Sequence, residues 1–311
     1  MNYEKTAIPL ALAAFAAFSP VVSLAGSGQD TGPVCTCQKA PRYSYENGGC
    51  MLLVPKAYDN LLVTEIIKDQ KDGKLFSVSE KASIEAAKKL SYDPRGAGWL
   101  FGIGRVDEGR RRELLCGDMS GAEIFARDAV GRTYVFYHPT DVRYMRENTE
   151  AMKRDQKQWS MLNEWAWTSV REDFCRENGF TAITYDNSAV GMAIARAVYQ
   201  PDTSYTISTT QYGPIEAKSF DAIPYAERLI QNASYERTDC EAPDGEYVVL
   251  AFPDEGTRFD FFKAEGKENY VREVRQDGME LLYKATFSDD KEKASAVMQA
   301  WYDALTAQRH N

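Results

Sequence analysis

The spacing of short apolar runs between turn residues constrains this chain more than any motif in it. Residues 51–54, 61–66, 75–78, 99–106, 123–126 and 134–137 read as strands, and so do 181–185, 204–210, 247–252, 257–262, 270–274 and 281–287. Asp72-Gly73 and Gly131 supply turns between neighbouring runs. Helical spacing separates them at four places. Ala82, Ile84, Ala87 and Leu90 follow a capping Ser79. Trp159, Leu162, Ala166, Val170 and Phe174 define one long helix over 150–178, ended by Gly179 with Phe180 making the cap contact. A helix over 189–199 is capped by Asn187 or Ser188, and Ala294, Val297, Met298, Trp301 and Leu305 mark the last one. A shorter helix begins at Pro224, after a connector over 213–223. Hairpin-linked strands mixed with helices, without regular βαβ units, predict an α+β fold of mainly antiparallel sheet with packed helices.

The N-terminal residues read as an address. Lys5 precedes an apolar stretch over 7–22, and Ser23-Leu24-Ala25 places small residues before a cut at Gly26. The stretch is shorter than the ~20 residues a membrane-spanning helix needs. This predicts a signal peptide over 1–25, a mature chain without a transmembrane span, and a secreted, periplasmic or cell-envelope location of bacterial type. The first cysteine lies well past the cut, which breaks the lipoprotein pattern. Residues 26–49, rich in Gly, Pro and Ser, read as a flexible spacer. Residues 50–311 follow, either as one continuous domain or as two, 50–212 and a smaller 213–311.

Six cysteines lie beyond the cut: Cys35, Cys37, Cys50, Cys116, Cys175 and Cys240. An even count in an exported chain makes all six disulfide candidates. Cys35 or Cys37 paired with Cys50 would pin the spacer to the domain. The competing reading keeps Cys116, Cys175 and Cys240 as buried free thiols.

Of two histidines, only His138 stands away from the chain end, which excludes zinc sites built on several imidazoles. Any nucleophilic mechanism must then use His138. The sharpest catalytic constellation is Cys116 as nucleophile, His138 as base and Asp141 as its orienting carboxylate. Paired carboxylates for glycoside hydrolysis are a second possibility. Trp165 and Trp167 point in different directions from one helix, so Trp165 beside Asn163 and Glu164 is a candidate ligand-binding surface. The run Arg110-Arg111-Arg112 reads as a solvated helix start. The glycines of Gly96-Ala97-Gly98-Trp99-Leu100-Phe101-Gly102-Ile103-Gly104 lack the residues of a phosphate loop and indicate close backbone approach instead.

The net charge of −9 argues against nucleic acid as the main partner. No cofactor or metal ligand set is legible. The reading that follows is a binding or interaction module for a protein, peptide or glycan ligand. An extracytoplasmic hydrolase and an inhibitor or immunity protein for an exported enzyme are the alternatives.

Overall fold

The computed structural model describes residues 41–68, 73–117, 119–263 and 269–309. The expected signal peptide over 1–25, most of the expected spacer, Cys35, Cys37 and His310 lie outside the described residues. The fold is α+β with antiparallel sheets, and Ala40–Asn311 forms one compact unit.

The described chain opens with a hairpin, β1 (Arg42–Asn47) and β2 (Cys50–Pro55), turned through Gly48-Gly49 at positive φ. The spacer expected to run to Gly49 is therefore structured from Arg42 onward. Tyr43 and Tyr45 supply β-forming side chains within a stretch that composition alone marks as loop.

Five longer strands and a short edge strand make the first sheet. They are β3 (Leu62–Ile66), β4 (Lys74–Glu80), β5 (Trp99–Val106), β6 (Ala122–Arg127), β7 (Thr133–Tyr137) and β8 (Thr181–Ala182), ordered β3-β4-β5-β7-β6-β8. Between them run α1 (Lys81–Lys89), α2 (Glu108–Cys116), α3 (Thr149–Thr168) and α4 (Val170–Asn178). The helix expected over 150–178 is broken at Ser169, whose own N–H still bonds to Trp165 while its φ of −111° leaves the helical line. Gly179 ends α4 in the left-handed region, and the Phe180 N–H closes on the Cys175 carbonyl at 2.8 Å, the expected cap. Ser79 does not cap α1: strand β4 continues through it and Glu80 takes the cap position.

The apolar helix α5 (Ala189–Tyr199) follows, capped by Ser188. The second sheet then forms from β9 (Ser204–Thr209), β10 (Ile215–Lys218), β11 (Ala233–Thr238), β12 (Tyr247–Phe252), β13 (Thr257–Phe262), β14 (Asn269–Val274) and β15 (Glu280–Phe287). Its order is β10-β9-β12-β13-β14-β15-β11, with α6 (Ile223–Ile230) and α7 (Ala294–Arg309). The connector over 213–223 contains β10, whose alternating burial pairs with β9.

Two cores hold the unit. Phe101, Phe136, Trp165 and Phe174 lie in the first, with Leu52 and Val54 of the hairpin, so one face of the first sheet packs on α3 and α4. In the second, Ile124 and Val135 from the opposite face of that sheet join α5, α6, α7 and inward residues of the second sheet such as Ile207, Leu250 and Phe261. Alternation along β7 decides this: Tyr134 and Phe136 enter one core, Val135 the other. No described helix is long and apolar enough to cross a membrane.

Candidate functional site

A cavity of about 1060 Å³ lies on the first sheet and reaches the start of α2. One cross-strand row builds its floor. Glu65 pairs with Ser77, Ser77 with Gly102, and Gly102 with Tyr137, so these four residues share a face across β3, β4, β5 and β7. Trp99 and Tyr137 are half-buried beside the glycines of β5. A Cβ on Gly102 would stand 3.6 Å from the Trp99 ring, and one on Gly104 would stand 2.9 Å from the Tyr137 ring. The missing side chain of Gly104 is thus the space into which the Tyr137 ring settles, while the Trp99 ring lies at ordinary contact distance above Gly102. The close backbone approach expected of these glycines is met by the Phe76 and Gly73 carbonyls, each 3.2 Å from where a Cβ on Gly102 or Gly104 would stand.

Charge surrounds the rings. Lys74, Arg105, Arg110 and Arg132 line the groove with Glu65 and Asp107, four cations against two carboxylates. Asp107 is engaged as the cap of α2, accepting the Arg110 N–H at 2.7 Å. Arg110 pairs with Glu113, and Arg132 with Asp128. Lys74 and Arg105 make no ion pair among the described residues. Sequence reasoning passed over this site because its parts are 72 residues apart at the extremes, Glu65 to Tyr137, and only strand register joins them. The glycine run was the one local signal.

The catalytic constellation does not assemble. The Cys116 thiol, at the end of α2, approaches the Ala195 carbonyl of α5 at 3.7 Å, and burial pushes its pKa up to about 11 against a lowering by Arg196. That is the reverse of an activated nucleophile. His138 packs its ring on Trp167, centroids 4.5 Å apart, with Nδ1 3.3 Å from the Pro139 carbonyl. Asp141 is exposed and paired with Arg143 at 2.6 Å. Each group is committed elsewhere, and no hydrogen bond links the three. Among the described residues, no three His, Cys, Asp or Glu side chains gather as a metal site.

The proposed Trp165 surface is corrected as well. Trp165 is 6% exposed and meets Tyr58 and Phe101 edge to face in the core. Trp167 is the half-buried ring, under Arg171 and beside His138. Asn163 is half-buried and Glu164 exposed, with no aromatic platform formed by Trp165 next to them. Among the described residues Cys50, Cys116, Cys175 and Cys240 are free thiols and form no disulfide with one another, and the expected bond from Cys35 or Cys37 to Cys50 lies outside the described residues. Cys50 and Cys175 are buried, while Cys240 is exposed. Burial also raises Cys175 to about 11.

Arg111 is a further correction. Instead of a solvated position it is 4% exposed, donating to Glu108 on its own helix and to the Tyr185 hydroxyl, and pairing with Glu227 of α6 at 2.8 Å. Arg127 of β6 reaches the same hydroxyl, and Tyr199 of α5 donates to Glu227 at 2.6 Å. This network ties α2, β6, α5 and α6 together behind the groove.

No protein-family model, curated protein or solved structure matches this chain.

Proposed function

We propose that this chain is an exported, non-catalytic binding module that holds its ligand in the groove of the first sheet. The observation that carries the reading is the pair of rings, Trp99 and Tyr137, settled over Gly102 and Gly104 in a cavity of about 1060 Å³. A groove of this size, with aromatic walls and a few polar groups at its rim, has the composition of a small-ligand site. The separation of Cys116, His138 and Asp141 into unrelated contacts favours binding over the hydrolase alternative.

The test is a saturation-transfer NMR screen of peptides and glycans against the purified chain and its Trp99→Ala variant. A hit whose signal is lost in the variant supports the reading. A hit that binds both proteins equally overturns it. Export is checked separately by the intact mass of the secreted protein, which should begin at Gly26.

A further inference from the structure

Resting on that reading, we infer that the groove takes an acidic oligosaccharide, a short chain of sugar rings carrying carboxylate or sulfate groups. Three observations converge on this chemistry. The first is the pair of ring surfaces. The glycines beneath Trp99 and Tyr137 lie two residues apart on β5, roughly 7 Å along the strand. Two aromatic side chains seated on neighbouring parts of one strand can each meet a different ring of one ligand, and the C–H face of a pyranose packs on aromatic rings as an apolar surface.

The second is the sign of the charge. The whole chain carries −9, yet among the described residues the charged side chains lining the groove are Lys74, Arg105, Arg110 and Arg132 against Glu65 and Asp107, an excess of two positive charges. Lys74 and Arg105 have no ion-pair partner among the described residues. A guanidinium without a carboxylate fits an incoming carboxylate or sulfate through paired N–H donors. The third is the polar floor. Ser77 offers a hydroxyl, and Glu65, on the same cross-strand row, offers a carboxylate. A carboxylate on the floor accepts bonds from hydroxyl groups, which a sugar carries on every ring. Together these features favour sugars over a nucleic acid strand, which would also stack and carry negative charge. The cavity, at the upper end of small-ligand sites, suits several linked rings better than one.

The experiment is titration calorimetry of the full mature chain at low salt. The probes are hexamers of galacturonate and guluronate, a heparin-derived hexasaccharide, neutral maltohexaose and hexauridylate. The expected result is binding to at least one acidic hexasaccharide and none to maltohexaose, with affinity falling as salt rises. A Lys74→Gln, Arg105→Gln double variant should bind about tenfold more weakly or less. Lys74 is exposed, so Lys74→Gln alone keeps the fold and serves as the check should other variants unfold. Absence of heat with every acidic sugar overturns the inference, as does binding that the double variant leaves unchanged. Preference for maltohexaose or hexauridylate, lost in Trp99→Ala, overturns the acidic sugar but keeps the groove. Acidic-sugar binding untouched by both Trp99→Ala and the double variant overturns both.

Discussion

Arg111 shows how one side chain can be misread from its neighbours. Flanked by Arg110 and Arg112, it looks like part of a solvated run, yet it alone turns inward to meet Glu108, Glu227 and Tyr185. Arg111→Ala should destabilise the fold by about 3 kcal/mol, the low end for removing one partner of a buried pair, because the carboxylates left behind reach solvent. Urea unfolding of the two proteins measures it. Glu108 adds a pH dependence. Hydrogen bonding from Arg111, opposed by burial, holds its carboxyl below the ordinary 4.5. A lowered folded pKa means its contribution is complete above the ordinary value and is lost as pH falls through the folded one. Glu108→Gln should therefore flatten the stability profile only on the acid side, below about pH 5; an unchanged acid limb would contradict the pairing. The thiols give a third outcome. With its pKa near 11, Cys116 is about one part thiolate per thousand at pH 8. Iodoacetamide should label exposed Cys240 first and Cys116, Cys50 and Cys175 only on unfolding, as read by peptide mass. Fast labelling of Cys116 would restore a nucleophilic role.

Among the elements, the cap of α3 is the simplest to weigh. The Asn148 side chain accepts the Ala151 N–H at 2.9 Å. Asn148→Ala should cost about 1 kcal/mol, measured by denaturant midpoint, with no effect on ligand binding in the groove. Most elements were legible from pattern. Strand β5 spans the expected 99–106, and β12 and β13 match the expected 247–252 and 257–262, because their apolar runs are long and bounded by turns. The misses have physical reasons. Helix α2 buries Arg111 together with Leu114 and Leu115, so no apolar periodicity marks it in the sequence. Strands β10 and β11 are edge strands, one of four residues and the other with polar Ser234, Glu236 and Arg237, and pairing rather than propensity makes them strands. The site was less legible than the fold. Glycines, aromatics and cations each have ordinary roles, and only the register of β3, β4, β5 and β7 brings Glu65, Ser77, Gly102 and Tyr137 into one row. Trp165 was misplaced because its helix is buried along a stripe that includes Leu162 and Ala166, leaving Trp167 at the margin.

Helix α5 joins the two sheets into one molecule. Eight of its eleven residues are buried, and it packs on α2 from the first half and α6 from the second. An element apolar on nearly every side cannot stay with either sheet alone. Calorimetric unfolding should therefore give a single transition with equal calorimetric and van't Hoff enthalpies, and fragments cut after residue 212 should not fold separately. Two resolved transitions would contradict this. The same helix sets an order of events during synthesis. The first sheet and α2 are in place once Ala182 has emerged, but the other partners of α5 arrive only with α6 and the second sheet, whose last strand is Glu280–Phe287. A core that closes only with the second sheet leaves a sticky segment uncovered while those strands are being made. During that interval the chain stays open to chaperone capture and to threading through a pore.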